Sequence, residues 1–358
     1  MKRPRLKRTV EIVELDGDLV LMRNGRDDVR LEAPGVEELA LLEALDGTCS
    51  PSDLMGRFEK AAEHLVALGD VGLLEDAADE ESVPTHELDR FDRQLRYFGD
   101  IAESDGPSPS ECQARLREAT VAILGVGGLG GRVALDLASC GVGELWLIDC
   151  DEVETSNLNR QIQFSEADVG RVKVKVAAER LHAFNSAISV RATEGRLEGE
   201  DDIATFIAGA DFVVDAADWP AFDIERWVNK VCFEAGTPYI GMSHIPPFAR
   251  VGPLFVPGET GCYACQEAGF RRSHPMFDQV REQLRAKPST APTFGPACGL
   301  TAGVVATEVV HFLTGVLPPT TLGASLVYDL RTQEVEREEV VREPGCPVCS
   351  GPSLQAAA

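Results

Sequence analysis

The sequence predicts an α/β protein: a doubly wound, mostly parallel sheet accompanied by a small N-terminal winged-helix-like α+β domain. Three observations lead there. An apolar strand at 120–124 runs straight into a glycine-rich loop, Gly125, Gly127, Gly128 and Gly130, and a helical stretch follows. Apolar strands at 144–149, 188–192 and 211–215 then alternate with amphipathic helical segments, the pattern of parallel strands joined by crossover helices. The first eighty residues have a different texture, with three short strands before three helices.

Within that N-terminal module, 10–15 and 19–22 read as strands joined by the turn Asp16-Gly17, and 29–32 as a third. Val36, Leu39, Leu42 and Leu45 recur at helical spacing and stop at Asp46-Gly47, a helix C-terminal signal. A second helix opens at Ser50-Pro51-Ser52-Asp53 and a third covers 63–68. The stretch 77–85, with three acidic residues and Pro84, reads as a linker, and 104–110 as a surface loop. The expected division is 1–80 for the small domain, 81–110 for a connecting segment, and 111–358 for the α/β domain.

Composition narrows the function classes. With 34 Lys+Arg against 59 Asp+Glu the formal charge is −25. Such a chain repels polyphosphate surfaces, so a nucleic-acid binder is not expected. No run of apolar residues approaches the ~20 of a membrane helix, and the basic start, 1–8, has no apolar signal core behind it. A cytoplasmic protein is the expectation. Of the ten cysteines, four form tight pairs, Cys262-x-x-Cys265 and Cys346-x-x-Cys349. This spacing suits a closed tetrahedral Cys₄ zinc site of structural kind. The six histidines show no spacing that suggests a catalytic metal centre.

The glycine loop lets a backbone approach a nucleotide closely, and the free N–H groups of the helix behind it favour phosphate. Asp149, nineteen residues beyond Gly130, ends the next strand, where a carboxylate can accept ribose hydroxyls. Alone, these features leave NAD, FAD, S-adenosylmethionine and ATP open. Behind them come Asp149-x-Asp151, Asn157-x-x-Arg160-Gln161, Val169-Gly170-x-x-Lys173 and Val213-x-Asp215-x-x-Asp218, with Arg90-x-x-Arg93-Gln94 upstream. In this order, from Arg90 to the C-terminus, the set resembles the ThiF/MoeB/ubiquitin-activating enzyme superfamily, which adenylates the C-terminal carboxylate of a protein or peptide with ATP.

The resemblance implies a Rossmann-like, ThiF-type fold with ATP and Mg²⁺ as cofactors. It implies roles as well. Lys173 and Arg160 would act on the phosphates, Asn157 on phosphate or ribose oxygens, and Asp218 on Mg²⁺. Asp149 would anchor the ribose, with Asp151 in the same region. Arg93 matches an arginine supplied by the neighbouring subunit, which implies a homodimer. Where the family commonly has Asp-Asn, this chain has Asp218-Trp219. Some members carry a covalent cysteine after the first zinc pair. Here the only cysteine between Cys265 and Cys346 is Cys298, expected just before a helix at 301–313 in a buried small-residue position. The polar stretch 271–296 resembles the family's crossover loop and has no cysteine.

The first eighty residues resemble the PqqD-like recognition element of enzymes that modify ribosomal peptides. There, a leader peptide pairs with an exposed sheet edge. In this chain 29–32 would receive it, and Leu42, Leu45 or Leu54 would floor the groove. The two halves together imply a microcin-type peptide-adenylating enzyme whose partner is a precursor peptide. Two alternatives remain: an activator of a small Gly-Gly-ending sulfur-carrier protein, and a non-catalytic scaffold that binds leader peptides. A dehydrogenase explains neither the Arg-Gln motif nor the paired cysteines.

Overall fold

The computed structural model describes residues 1–23, 27–103, 105–285 and 292–350. Two compact units make up the chain, one of Met1–Arg115 with Thr314–Leu317, the other of Leu116–Leu313 with Pro318–Ala358.

The first unit contains β1 (Pro4–Leu6), β2 (Glu11–Leu15), β3 (Asp18–Met22) and β4 (Val29–Leu31), then the helices α1 (Val36–Ala44), α2 (Pro51–Arg57) and α3 (Ala61–Asp70). β2, β3 and β4 form an antiparallel sheet with β4 at one edge. Leu21, Leu41, Leu42, Leu45, Leu54, Ala61, Leu68, Leu73 and Leu74 close a small core against the helices. α2 starts on a capping box: the Ser50 hydroxyl accepts from the Asp53 amide at 3.2 Å, and the Asp53 carboxylate accepts from the Ser50 amide at 3.0 Å. A further strand, β5 (Leu74–Asp76), pairs with β1 in the register Pro4↔Asp76 and Leu6↔Leu74, although these partners lie 72 and 68 residues apart in the chain.

The acidic stretch expected as a linker is folded. A 3-10 turn covers Ala77–Ser82 and α4 (Thr85–Ile101) follows. Its acids have partners: Glu80 holds Arg5, while Asp79 accepts from the Ser108 hydroxyl at 2.7 Å and the Ser110 amide at 2.9 Å, at the start of α5 (Pro109–Glu118). α4 buries Phe91, Leu95 and Phe98 and leaves Arg93 exposed. Ser104, in the expected surface loop, lies outside the described residues.

The second unit is built on eight strands: β6 (Thr120–Leu124), β7 (Glu144–Asp149), β8 (Ser189–Glu194), β9 (Phe212–Asp215), β10 (Tyr239–Ile245), β11 (Phe248–Phe255), β12 (Ala324–Asp329) and β13 (Glu334–Glu339). Their order is β13-β12-β11-β10-β9-β6-β7-β8. From β10 to β8 all pairings are parallel; β11, β12 and β13 add an antiparallel extension. β9 is buried throughout and β6 from Val121 on, as central strands covered on both faces must be. β13 is almost wholly charged, which keeps the sheet edge from recruiting another strand.

Helices α6 (Gly130–Cys140), α7 (Lys173–Phe184), α8 (Glu200–Ile207), α9 (Ile224–Ala235), α10 (Tyr263–Ser273), α11 (Phe277–Arg285) and α12 (Gly295–Thr314) complete the unit. One face of the sheet packs Trp146, Val213 and Ile148 against Val228, Cys232 and Phe233 of α9. On α12, Phe312 stacks at 5.3 Å on Phe212 of β9.

Three expectations change. The helix placed at 301–313 begins at Gly295, with Pro296 in its first turn, where a missing N–H costs nothing. Cys298 therefore sits inside the helix. By length and composition α12 is also apolar enough to cross a membrane, against the expectation that no run came close, but more than half of it is buried inside the fold. The polar stretch 271–296 is largely helical rather than a loop; 286–291 lie outside the described residues.

Candidate functional site

In an open α/β sheet the ligand crevice lies where neighbouring strands send their chains to opposite sides. Here that point falls between β6, followed by the glycine loop, and β9, followed by Ala216, Ala217 and Asp218. Gly125 has φ +87°, and a Cβ there would stand 2.7 Å from the Ala216 carbonyl oxygen. Gly130 is tighter still, its missing Cβ falling 2.0 Å from the Gly125 carbonyl oxygen. The loop is thus folded back on itself at the mouth of the crevice, open only because these residues lack side chains. Gly130→Ala is expected to lower stability by more than about 3 kcal/mol, a severe packing defect; an unchanged chemical denaturation curve would contradict this account.

Asp149 ends β7 and holds the loop. One of its oxygens accepts from the Val126 amide and the other from the Asp151 amide, both at 2.8 Å. Burial pushes its carboxyl up, opposed first by the charge of Lys173. Lys173, at the start of α7, has a side chain only 6% exposed, and its Nζ donates at 2.8 Å to Asp151, which is 60% exposed. Its amide donates to the Asp151 carbonyl at 2.9 Å, so backbone and side chain fix the same pair.

Asn157 is buried, and its side-chain oxygen accepts from the Glu154 amide at 3.1 Å. Three residues on, Arg160 donates to the Ser156 carbonyl at 2.9 Å and to Asn159 Oδ1 at 3.0 Å. Its Cγ lies 3.1 Å from the position a Gly128 Cβ would take, and Gln161 Nε2 lies 3.7 Å from that of Gly127. The structure therefore gathers Asp149, Asp151, Lys173 and Arg160 around the glycine loop, while Asn157 holds the Arg160 segment through its carbonyl, which accepts from the amides of Arg160 at 3.1 Å and Gln161 at 2.9 Å.

Asp218 follows β9, exposed, and has no hydrogen-bond partner among the described residues. Beside it Trp219 is half-exposed. The acidic group the geometry assembles is Asp149 with Asp151, grouped with Cys150, and Asp218 is not in it. Arg93 belongs to the first unit, where it is exposed and has no partner among the described residues.

Sequence reasoning missed Gln163. Its Nε2 donates to the Val126 carbonyl at 3.0 Å and the Gly127 carbonyl at 3.2 Å, buttressing the loop from behind. The only signal was its position two residues beyond the Arg160-Gln161 pair.

The four paired cysteines meet, all buried. Their sulfurs stand 3.9 Å apart for Cys262 and Cys265, 3.6 Å for Cys262 and Cys346, and 3.5 Å for Cys265 and Cys349. Four sulfurs about 2.3 Å from a common tetrahedral centre stand about 3.8 Å apart, so the cluster has the size for zinc and is too wide for disulfides. The Glu343 amide donates to Cys265 Sγ at 3.3 Å, which suits a thiolate held by a metal.

Comparison with known proteins agrees with this geometry. The model of the ThiF family matches residues 91–348. The chain belongs to the ThiF family. The sulfur carrier protein ThiS adenylyltransferase of Escherichia coli (strain K12) is 35% identical over 73% of this chain and 95% of its own length. The molybdopterin-synthase adenylyltransferase of the same organism is 30% identical over 74% of this chain and 96% of its own. Among solved structures, E. coli MccB with ATP superposes with a TM-score of 0.76 at 28% identity, covering 97% of this chain and 99% of that one. MccB has also been solved with AMPCPP and MccA, with a TM-score of 0.76 at 28% identity, covering 97% of this chain and 100% of that one. This ThiF-family chain is an adenylyltransferase of the ThiF/MoeB kind, which sets aside the non-catalytic scaffold.

Proposed function

We propose that this adenylyltransferase activates a carboxylate, the C-terminal one, of a ribosomally made precursor peptide. The carboxylate oxygen attacks the α-phosphorus of ATP, the bond from that phosphorus to the bridging oxygen breaks, and pyrophosphate leaves. Two anions must approach each other, so positive charge fixed beforehand is the main catalytic requirement. Lys173 and Arg160 supply it from this chain, and Arg93 supplies it to the partner subunit of a homodimer. Asn157 orients phosphate or ribose oxygens, and Asp149 and Asp151 lie where the ribose is held. Asp218, exposed and without a hydrogen-bond partner among the described residues, would hold Mg²⁺, which would neutralise charge on the pyrophosphate. The Cys₄ cluster binds zinc in a structural role, since no ligand position is left for water.

One observation favours a peptide over a carrier protein. The sulfur-carrier and molybdopterin-synthase relatives are almost fully spanned by about three quarters of this chain, whereas the match to MccB takes in nearly all of it, the first unit included. That unit supports leader recognition of the PqqD-like kind. β4 is an unpaired sheet edge, and beside it lies a cavity of about 110 Å³ lined by Leu31, Glu32, Leu41, Leu42, His64 and Leu68. Of the three leucines expected to floor a groove only Leu42 lines it; Leu45 and Leu54 are sealed in the core beneath. An extended leader adds to the β4 edge and places an apolar side chain in this cavity.

Activation of a Gly-Gly-ending sulfur carrier is the second reading, favoured by the 35% identity to the ThiS adenylyltransferase. Pyrophosphate exchange separates the two. Exchange with a peptide, lost when its leader is removed, supports peptide adenylation; exchange only with the carrier moves the chain to sulfur activation. Leu31→Glu, which puts a charge into the cavity, is expected to raise the peptide KM about tenfold, the scale of losing one buried apolar anchor of ~1.5 kcal/mol. The KM for ATP should not move. Equal kinetics for peptides with and without a leader would end the leader-binding account.

A further inference from the structure

Arg132 stands in the first turn of α6, two residues past Gly130. Its Nε is buried and meets no acceptor, and no carboxylate among the described residues lies within ion-pair distance of its guanidinium. That is unexpected for a half-buried arginine in a chain with 59 acids and 34 bases. Asp136, one turn on, feels the charge without pairing to it. The side chain reaches the first turn of α12 instead: one guanidinium nitrogen lies 3.2 Å from the place of a Cβ on Gly299.

Arg160 arrives at the same spot from its own loop, against Gly128, holding only the neutral oxygens of Ser156 and Asn159. Between them sits Cys298, its Sγ 3.4 Å from the missing Cβ of Gly128, and both guanidiniums act on this thiol. Two arginines with no anionic partner among the described residues thus converge on the glycine loop, together with the positive end of a twenty-residue helix. A buried guanidinium N–H without an acceptor, here the Arg132 Nε, is costly unless a ligand completes it.

We propose that Arg132 is a phosphate-binding residue of the adenylation site, forming with Arg160 and the first turn of α12 a second positive wall that grips the pyrophosphate end of ATP. Lys173, tied to Asp151, serves the end nearer the ribose. The assignment rests on the nucleotide lying at the glycine loop, as proposed above. It adds a contact that distinguishes a triphosphate from a monophosphate.

Calorimetric titration of the full-length protein with ATP, AMP and inorganic pyrophosphate tests it. Arg132→Gln is expected to weaken ATP and pyrophosphate by about tenfold, the scale of one charge-assisted hydrogen bond, and to change AMP less than twofold. Arg132→Lys, which keeps the charge and loses the fork, should fall between and covers the case in which the glutamine variant does not fold. Equal losses for ATP and AMP in either folded variant, or unchanged ATP binding, would overturn the proposal. Lys173→Ala is the control for the site itself: if that variant also binds ATP and AMP like the wild type, the placement of the nucleotide fails rather than the role of Arg132.

Discussion

Lys173→Ala is expected to cut ATP–pyrophosphate exchange by about a thousandfold, the upper range for removing one preorganised charge from a water-poor site. The lysine is almost fully buried at the head of α7, yet its carboxylate partner Asp151 is more than half exposed. The ion pair is therefore worth little to the fold, and its loss leaves an acid that water can solvate. The same lysine is the main positive charge acting on Asp149, whose carboxyl burial already pushes up. The variant thus loses both a phosphate contact and the charge that steadies the residue holding the loop. Exchange assays with labelled pyrophosphate, beside a thermal melt, check it: near wild-type exchange in a folded variant would remove Lys173 from the site.

The second large effect concerns the cysteine cluster. Cys346→Ser should reduce bound zinc from about one ion per chain to almost none, and lower the melting temperature by roughly 10 °C. That figure takes several kcal/mol for the metal site and ~2–4 °C per kcal/mol for a protein of this size. Burial pushes the Cys349 thiol up to about 12 and raises that of Cys262 as well, so without a cation these two stay protonated at neutral pH. A cation at the centre reverses that, taking them as thiolates. Metal analysis and melting with and without a chelator decide the point; a chelator that strips no metal and moves no transition would refute it.

Much of the site was legible because its signals are local. The glycine loop declares itself by sitting between an apolar strand and a helix, and the cysteines by their spacing. What sequence reading misjudged depends on contacts distant along the chain. Pairing of β1 with β5 joins residues seventy apart, so nothing near Pro4 announces it. The acidic stretch at 77–85 looked like a solvated connector because the partners of its acids, Arg5 and the serines at the head of α5, lie elsewhere in the sequence. α12 seemed to start late because Gly295, Pro296 and Gly299 are weak helix formers, yet tertiary packing holds the first turn, where Gly295 would clash with the Asn159 carbonyl if it carried a side chain. Gln163 and Arg132 were passed over for the same reason: each is an ordinary polar residue until the fold brings it against the glycine loop.

The two cysteine pairs lie eighty-four residues apart, and between them run α10, α11, α12, β12 and β13. A cation bound by all four sulfurs turns that length of chain into a closed ring, whose ends no longer gain freedom independently when the protein opens. By loop-entropy reasoning for a covalent link of this size, closure is worth about 4–5 kcal/mol. A ring also tolerates damage differently from a line. A single proteolytic cut between Cys265 and Cys346 would leave both fragments fastened at the same point, with α12 still seated behind the glycine loop. Zinc supply would then govern the working lifetime of the protein, by deciding whether a nicked molecule holds together or comes apart.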